Sequence, residues 1–292
     1  MFAAKVGGWA DSVGAHTPTT PEAPEIAMAV DGKPLRGSKK QGAPGTHLLA
    51  VLAHRLGLTL TQQAVAAKTH ESKEVETVLR QIVLAGRGVT MDALLTQRQV
   101  AQTIVNAGGA SIMIVKEHQP PLTADIALVF TRPPAGAHQE SVRTVDVGHG
   151  RIETRHLTTR EALVGDSDGP GLAQVLEVGR HVITKKTGPE RVAVVYGITS
   201  LRPERATPGR GLALVRGHWA IEHKSHWGRD VTFDEDRSQV RCGNIPQGMA
   251  TLRTTAIGLL RWAGDTNIAA ACRRLAAQPM QALALIGIAF EN

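Results

Sequence analysis

Residues 26–30, IAMAV, form an unbroken apolar run that reads as a buried β-strand, and the run ends on Asp31, Gly32 and the nearby cations Lys33 and Arg36. Two further runs, THLLAVLAHRLG from residue 46 and LTLTQQAVAA from residue 58, read as strands separated by Gly57. The period then changes. In HESKEVETVLRQIVLAG (70–86), Val75, Val78, Leu79, Ile82 and Val83 recur at three- and four-residue steps, the stripe of an amphipathic helix closed by Gly86. GVTMDA (88–93) is a short strand ending on Asp92, TQRQVAQTIVNAGG (96–109) a second helix and ASIMIVK (110–116) a fifth strand. This order predicts an α/β fold: an antiparallel meander followed by two strands delivered by helical crossovers and paired parallel.

From about residue 120 to 200 the pattern predicts a β-rich insertion. Val145 and Val147 alternate with Thr144 and Asp146 before the turn GHG, and Ile152, Thr154 and His156 alternate with Glu153 and Arg155 after it, which is a hairpin pattern. RVAVVYGITSL (191–201) is another strand. In GLALVRGHWAIEHKSHWGRDV (211–231), Val215, His218, Trp219, Glu222, His226 and Arg229 recur at three- or four-residue steps, which predicts one helical face. QGMATLRTTAIGLLRWAG and NIAAACRRLAAQ then read as a closing helical pair. Residues 14–25, GAHTPTTPEAPE, have a linker's composition, so the expected organisation is a linker-like lead over 1–25 and one domain over 26–292.

Composition narrows the partners. The chain has 42% apolar and 20% charged residues, ordinary for a globular protein, and 33 Lys plus Arg against 26 Asp plus Glu. A basic surface field favours polyanions such as nucleic acid. Two cysteines, Cys242 and Cys272, are too few and too distant for a zinc framework or a disulfide scaffold, so a reducing cytoplasm is the expected compartment. The apolar run ALALIGIAF (282–290) is half the roughly 18–20 residues that a membrane span needs, and no span is predicted.

Asp31 and Asp92 each close a strand, and strands side by side in an α/β sheet would release both carboxylates at one edge. With Glu222 they would make a hard-oxygen set suited to divalent metal. An aspartate after a strand is equally a turn former or helix N-cap, and a helical glutamate is commonly solvated. Periodicity leaves these alternatives open. His218, His223 and His226 raise zinc, but no partner pair with zinc spacing occurs elsewhere in the chain. Trp219 and Trp227 are expected to pack rather than to stack on bases.

The segments VDGKPLRGS, GVTMDALLTQ and RGHWAIEHKSHWGRDVTFDEDRS resemble the three catalytic blocks of the DDE transposases encoded by bacterial insertion sequences, in particular the ISAs-type family that includes the H-repeat-associated proteins. VKEHQPPL, GHGRIETR, YGITSL and NIPQGMATLRTTAIGLLR extend the likeness from Ile26 to the end of the chain. The resemblance implies a ribonuclease H-like mixed sheet flanked by helices, with the β-rich insertion placed before the last catalytic helix. It also implies that Asp31, Asp92 and Glu222 are catalytic and bind two Mg²⁺ or Mn²⁺ ions. The implied partners are DNA, as terminal inverted repeats and target duplex, and a second copy in a homodimeric active complex. Lys33, Arg36, Arg216, His218 and Arg229 are the expected DNA contacts. A transposase that binds DNA without cutting it and a nuclease that only hydrolyses are the alternatives.

The chain departs from the family pattern in three places. Relatives carry a helical segment before the first catalytic block where this chain has the short lead, which predicts an N-terminal truncation. Around the last carboxylate, Val215 stands at the family's tyrosine position, His218 at its arginine and Arg229 at its lysine. VKEHQ replaces the usual Lys, Gly, Asn, Gln wording.

Overall fold

The computed structural model describes residues 26–39, 45–65, 71–117, 119–133, 136–148, 150–161, 169–185, 188 and 190–288. The linker-like lead over 1–25 lies outside the described residues. The fold is α/β, and the chain divides into two compact units, one made of residues 1–83 and 219–292 and the other of residues 84–218.

In the first unit, β1 (Ile26–Pro34), β2 (His47–Ala53) and β3 (Leu58–Val65) form the predicted antiparallel meander. Asp31 pairs with Ala50, and β1 runs four residues past Val30, where its apolar run stops. The backbone ladder continues regardless of polarity because β2, apolar from Leu48 to Ala53 and buried throughout, supplies a partner at each step. Helix α1 (Glu71–Leu79) packs on β2 and β3 and ends seven residues, nearly two turns, before the predicted stop at Gly86. Beyond Leu79 the N–H groups of Gln81 and Ile82 reach back three residues, a tightening that releases Val83 to solvent while Ile82 stays buried.

The closing helices are α5 (Ile245–Trp262), which packs on β3, α6 (Ile268–Ala277) and α7 (Pro279–Leu285). Ile257, Leu260, Ile268 and Ala271 make their shared core. No helix among the described residues is long and apolar enough to cross a membrane.

In the second unit, β4 (Arg87–Met91) and β5 (Ala110–Val115) pair parallel, as a helical crossover through α2 (Arg98–Asn106) requires. Val100, Ala101 and Ile104 supply the buried stripe of α2. β5 then pairs antiparallel with β9 (Glu190–Thr199), and β8 (Gln174–Thr184), β7 (Arg151–Glu161) and β6 (Gln139–Gly148) follow outward, all antiparallel. The sheet is therefore mixed, and its β6–β9 half is the predicted β-rich insertion, entered through a helix, α3 (Pro120–Thr131), that the periodicity did not reveal. Leu122, Ile126 and Phe130 of α3 pack with Val175, Tyr196 and Ile198 of the sheet. Helix α4 (Pro208–His218) lies against β6 and β7.

The predicted single face over residues 215–229 is corrected. Residues Glu222–His226 and Gly228–Thr232 are π-helical, and a π turn advances more slowly around the axis than an α turn, so residues spaced for an α face part company. Glu222 is exposed, His226 and Arg229 are buried, and Trp219 and Trp227, expected to pack, are 54% and 56% exposed. Ile221 is what holds this segment to the sheet of its unit: it is wholly buried against Ala29, Ala50 and Leu52. Ile221→Ala is expected to cost about 2–5 kcal/mol, the range for deleting a buried aliphatic side chain, read from a chemical denaturation midpoint.

Candidate active site

In the first unit the site is built on the far half of β1. The Gly32 N–H donates to Asp31 Oδ1 at 2.8 Å, and His226 Nδ1 stands 3.6 Å from Asp31 Oδ2. The backbone therefore orients one carboxylate oxygen, and an imidazole flanks the other. Glu222, the third predicted carboxylate, lies in the first turn of the π-helical stretch and is exposed to solvent.

Two of the expected DNA contacts are engaged inside the fold. Lys33 is buried, and its Nζ donates to both oxygens of Asp230 at 2.7 Å. Its charge is consumed in tying β1 to the π-helical segment Gly228–Thr232. Arg229 is 0% exposed; its Nε donates to Glu235 Oε2 at 2.8 Å and its Nη2 lies 2.6 Å from the same oxygen. Arg253 Nη1 donates to Glu235 Oε1 at 3.2 Å. A guanidinium enclosed in this way cannot reach a phosphate.

Arg36 behaves differently. It sits on a 3₁₀ turn, Arg36–Ser38, that meets a second turn, Glu235–Arg237, so closely that a Cβ on Gly37 would fall 2.1 Å from the Ser238 carbonyl oxygen. Glycine is required at that approach, and the turn holds Arg36 outward, with only a long 3.6 Å contact to Asp236.

In the second unit Asp92 follows β4 directly and caps the 3₁₀ turn Ala93–Leu95: its Oδ1 accepts from the N–H groups of Leu94 (3.1 Å) and Leu95 (3.3 Å). Oδ2 takes part in neither bond. The capping role weighed from sequence is thus present, and it orients the carboxylate without using both of its oxygens. The Thr96 hydroxyl donates to the Asp92 and Ile114 carbonyl oxygens, which fixes the turn to β5.

His218 Nδ1 lies 3.1 Å from the Thr90 hydroxyl. Burial pushes its imidazole below the ordinary histidine range, opposed by the Asp92 carboxylate and the bond with Thr90 and reinforced by Lys116. The shift favours the uncharged ring, whereas an arginine at that family position would keep its charge. Arg216, half-exposed, lies 3.1 Å from Asp146.

The donor set suits a hard divalent cation by chemistry: carboxylates, two of them with one oxygen anchored by backbone N–H groups. Among the described residues no three His, Cys, Asp or Glu side chains are gathered closely enough to hold an ion. Asp31 and Glu222 belong to one unit and Asp92 to the other. The sequence reading missed Asp230, Glu235 and Arg253, the partners that immobilise Lys33 and Arg229. Glu235 lies in the acidic run DEDRS, and nothing local marks which of its acids turns inward.

The chain is 29% identical over 245 residues to "Putative transposase YncI" of Escherichia coli O157:H7, an alignment covering 80% of this chain and 61% of that protein. It is 27% identical over 242 residues to "H repeat-associated putative transposase YhhI" of Escherichia coli strain K12, covering 80% and 63%. The chain thus spans less than two thirds of the length of these relatives. Among solved structures, a piggyBac transposase synaptic complex with hairpin DNA aligns with a TM-score of 0.45 at 11% identity, over 83% of this chain and 48% of that one. The family described as Transposase DDE domain matches residues 5–259, a stretch that takes in Asp31, Asp92 and Glu222, and the chain belongs to that family.

Proposed function

We propose that this protein cuts DNA at the ends of an insertion sequence and joins the freed 3′ ends to a target duplex. The observation that carries the reading is the family match across residues 5–259, with all three acid-bearing blocks inside it. Asp31, Asp92 and Glu222 would hold two Mg²⁺ or Mn²⁺ ions. Such a pair supplies an activated attacking oxygen and charge stabilisation for the departing one.

The chain's own part is positional. Backbone N–H groups aim the Asp31 and Asp92 carboxylates, and Arg36 and Arg216, the predicted cations that remain on the surface, bind phosphates. Water attacks the scissile phosphorus first and the 3′ oxygen departs as a hydroxyl; that 3′-hydroxyl then attacks a phosphorus of the target strand and displaces the target's own 3′ oxygen, so no protein side chain becomes covalently attached. The half-exposed indoles of Trp219 and Trp227 offer faces on which unpaired bases at a cut end stack. A homodimer acting on the two inverted repeats in the bacterial cytoplasm, associated with the nucleoid when bound, completes the reading.

The test is a strand-transfer assay with Mn²⁺, duplexes carrying the inverted repeats of the parent element and a supercoiled target. Nicked ends and joined products are expected. Binding without cleavage under either metal would favour the inactive form, and cleavage without joining the hydrolytic nuclease.

A further inference from the structure

Alternate residues of β7, Arg151, Glu153 and Arg155, point to one face of the sheet, and register brings Arg180 of β8 and Asp146 of β6 to the same face. Glu153 is buried beneath three guanidiniums: Arg155 Nη2 at 2.5 Å, Arg151 Nε at 3.9 Å, and Arg180, which donates to its Oε1. Asp146 accepts from Arg155 at 2.5 Å and lies 3.1 Å from Arg216 of α4. Burial raises the Glu153 carboxyl, but the Arg180 bond and the charges of Arg155, Arg180 and Arg151 outweigh it and hold the group below its usual range. Four arginines thus share two carboxylates. Glu153 lies inward and Asp146 is half exposed, while the side chains of Arg151, Arg180 and Arg216 are 48%, 52% and 44% exposed, so the surplus positive charge faces outward.

We propose that this face of β6–β8, with Arg151, Arg155 and Arg180 extended by Arg216, is a docking surface for the phosphodiester backbone of duplex DNA. Charge complementarity carries the choice of partner. Guanidinium forks match phosphate oxygens, and a carboxylate beneath them lowers the entropy lost when they bind, because the forks are already ordered. The opposite face of β6 and the adjoining β9 exposes Val145, Val147, Val192 and Val194 beside the exposed arginine Arg143, a more apolar surface that offers a polyanion less. The proposal rests on the transposase reading and adds to it a binding surface in the β-rich insertion.

The test is fluorescence anisotropy of a labelled duplex with the full chain across a salt series. Arg151→Ala with Arg180→Ala is expected to weaken binding about tenfold or more at 100 mM salt, and to flatten the slope of log affinity against log salt by about 2, one contact per arginine. Arg155 still neutralises Glu153 in this variant. The corresponding double lysine variant should restore most of the slope, while Val192→Ser with Val194→Ser should leave affinity unchanged.

If the alanine pair melts below the parent, the single Arg151→Gln and Arg180→Gln variants take its place, each with a slope change near 1. Arginine variants that fold and bind with unaltered affinity and slope overturn the surface while leaving the transposase reading intact. So does loss of binding in the valine variant alone. A parent protein that binds no duplex at any salt overturns both.

Discussion

Arg229→Ala is expected to destabilise the protein by about 3–5 kcal/mol, the cost of breaking a buried ion pair by removing one partner. Arg229 is fully enclosed, and Glu235 is nearly so, with Arg253 as a second cation 3.2 Å from it. Removing the guanidinium leaves the Glu235 carboxylate buried with one weaker partner, and the cavity adds a packing loss. Glu235→Ala should be at least as damaging, because it strands two guanidiniums. Replacing the pair together, Arg229→Met with Glu235→Leu, should recover much of the loss, since a well-packed apolar pair removes both desolvation penalties. Urea denaturation midpoints decide it: a shift of under about 1 kcal/mol in the single variants would mean that the pair is worth no more than a surface one.

The second large effect falls on Asp92. Asp92→Asn should reduce strand cleavage by about a thousandfold or more, on the order of 4 kcal/mol of barrier at 1.36 kcal/mol per tenfold. Folding and DNA affinity should change little, because an asparagine oxygen still accepts the Leu94 and Leu95 N–H groups and caps almost as well as aspartate. Asp92→Ala should lose the cap as well, about 1 kcal/mol of stability. The comparison separates the two roles of one side chain. If Asp92 were a cap and nothing more, the asparagine variant would cut DNA at the parental rate.

Much of the architecture was legible from local pattern. The apolar runs before Asp31 and Asp92, the helical stripe of Val100 and Ile104 and the alternation through Val145 and Glu153 each specify an element, because a strand repeats every two residues and a helix every 3.6. The β8 strand and helix α3 escaped. Helix α3 is apolar around much of its circumference, so it has no stripe to read, and β8 mixes buried and exposed positions without strict alternation.

Side-chain roles followed a different rule. Lys33, Arg36, Arg216 and Arg229 look alike as cations near carboxylate blocks, yet Lys33 meets Asp230 and Arg229 meets Glu235 while Arg36 and Arg216 stay at the surface. Lys33 and Asp230 lie 197 residues apart, and no local pattern encodes their meeting. Trp219 and Trp227 were expected to pack because indoles are large and apolar, and no local pattern shows that both stay exposed.

The sequence by itself determined which elements form and which acidic blocks the chain carries, since both depend on neighbours within a few residues. Folding in three dimensions decided which cations are enclosed, that burial lowers the His218 imidazole, and that arginines from two strands gather over the buried Glu153 while one from a helix meets Asp146. Those outcomes depend on desolvation and on charges brought together from distant parts of the chain, and neither exists until the chain has folded.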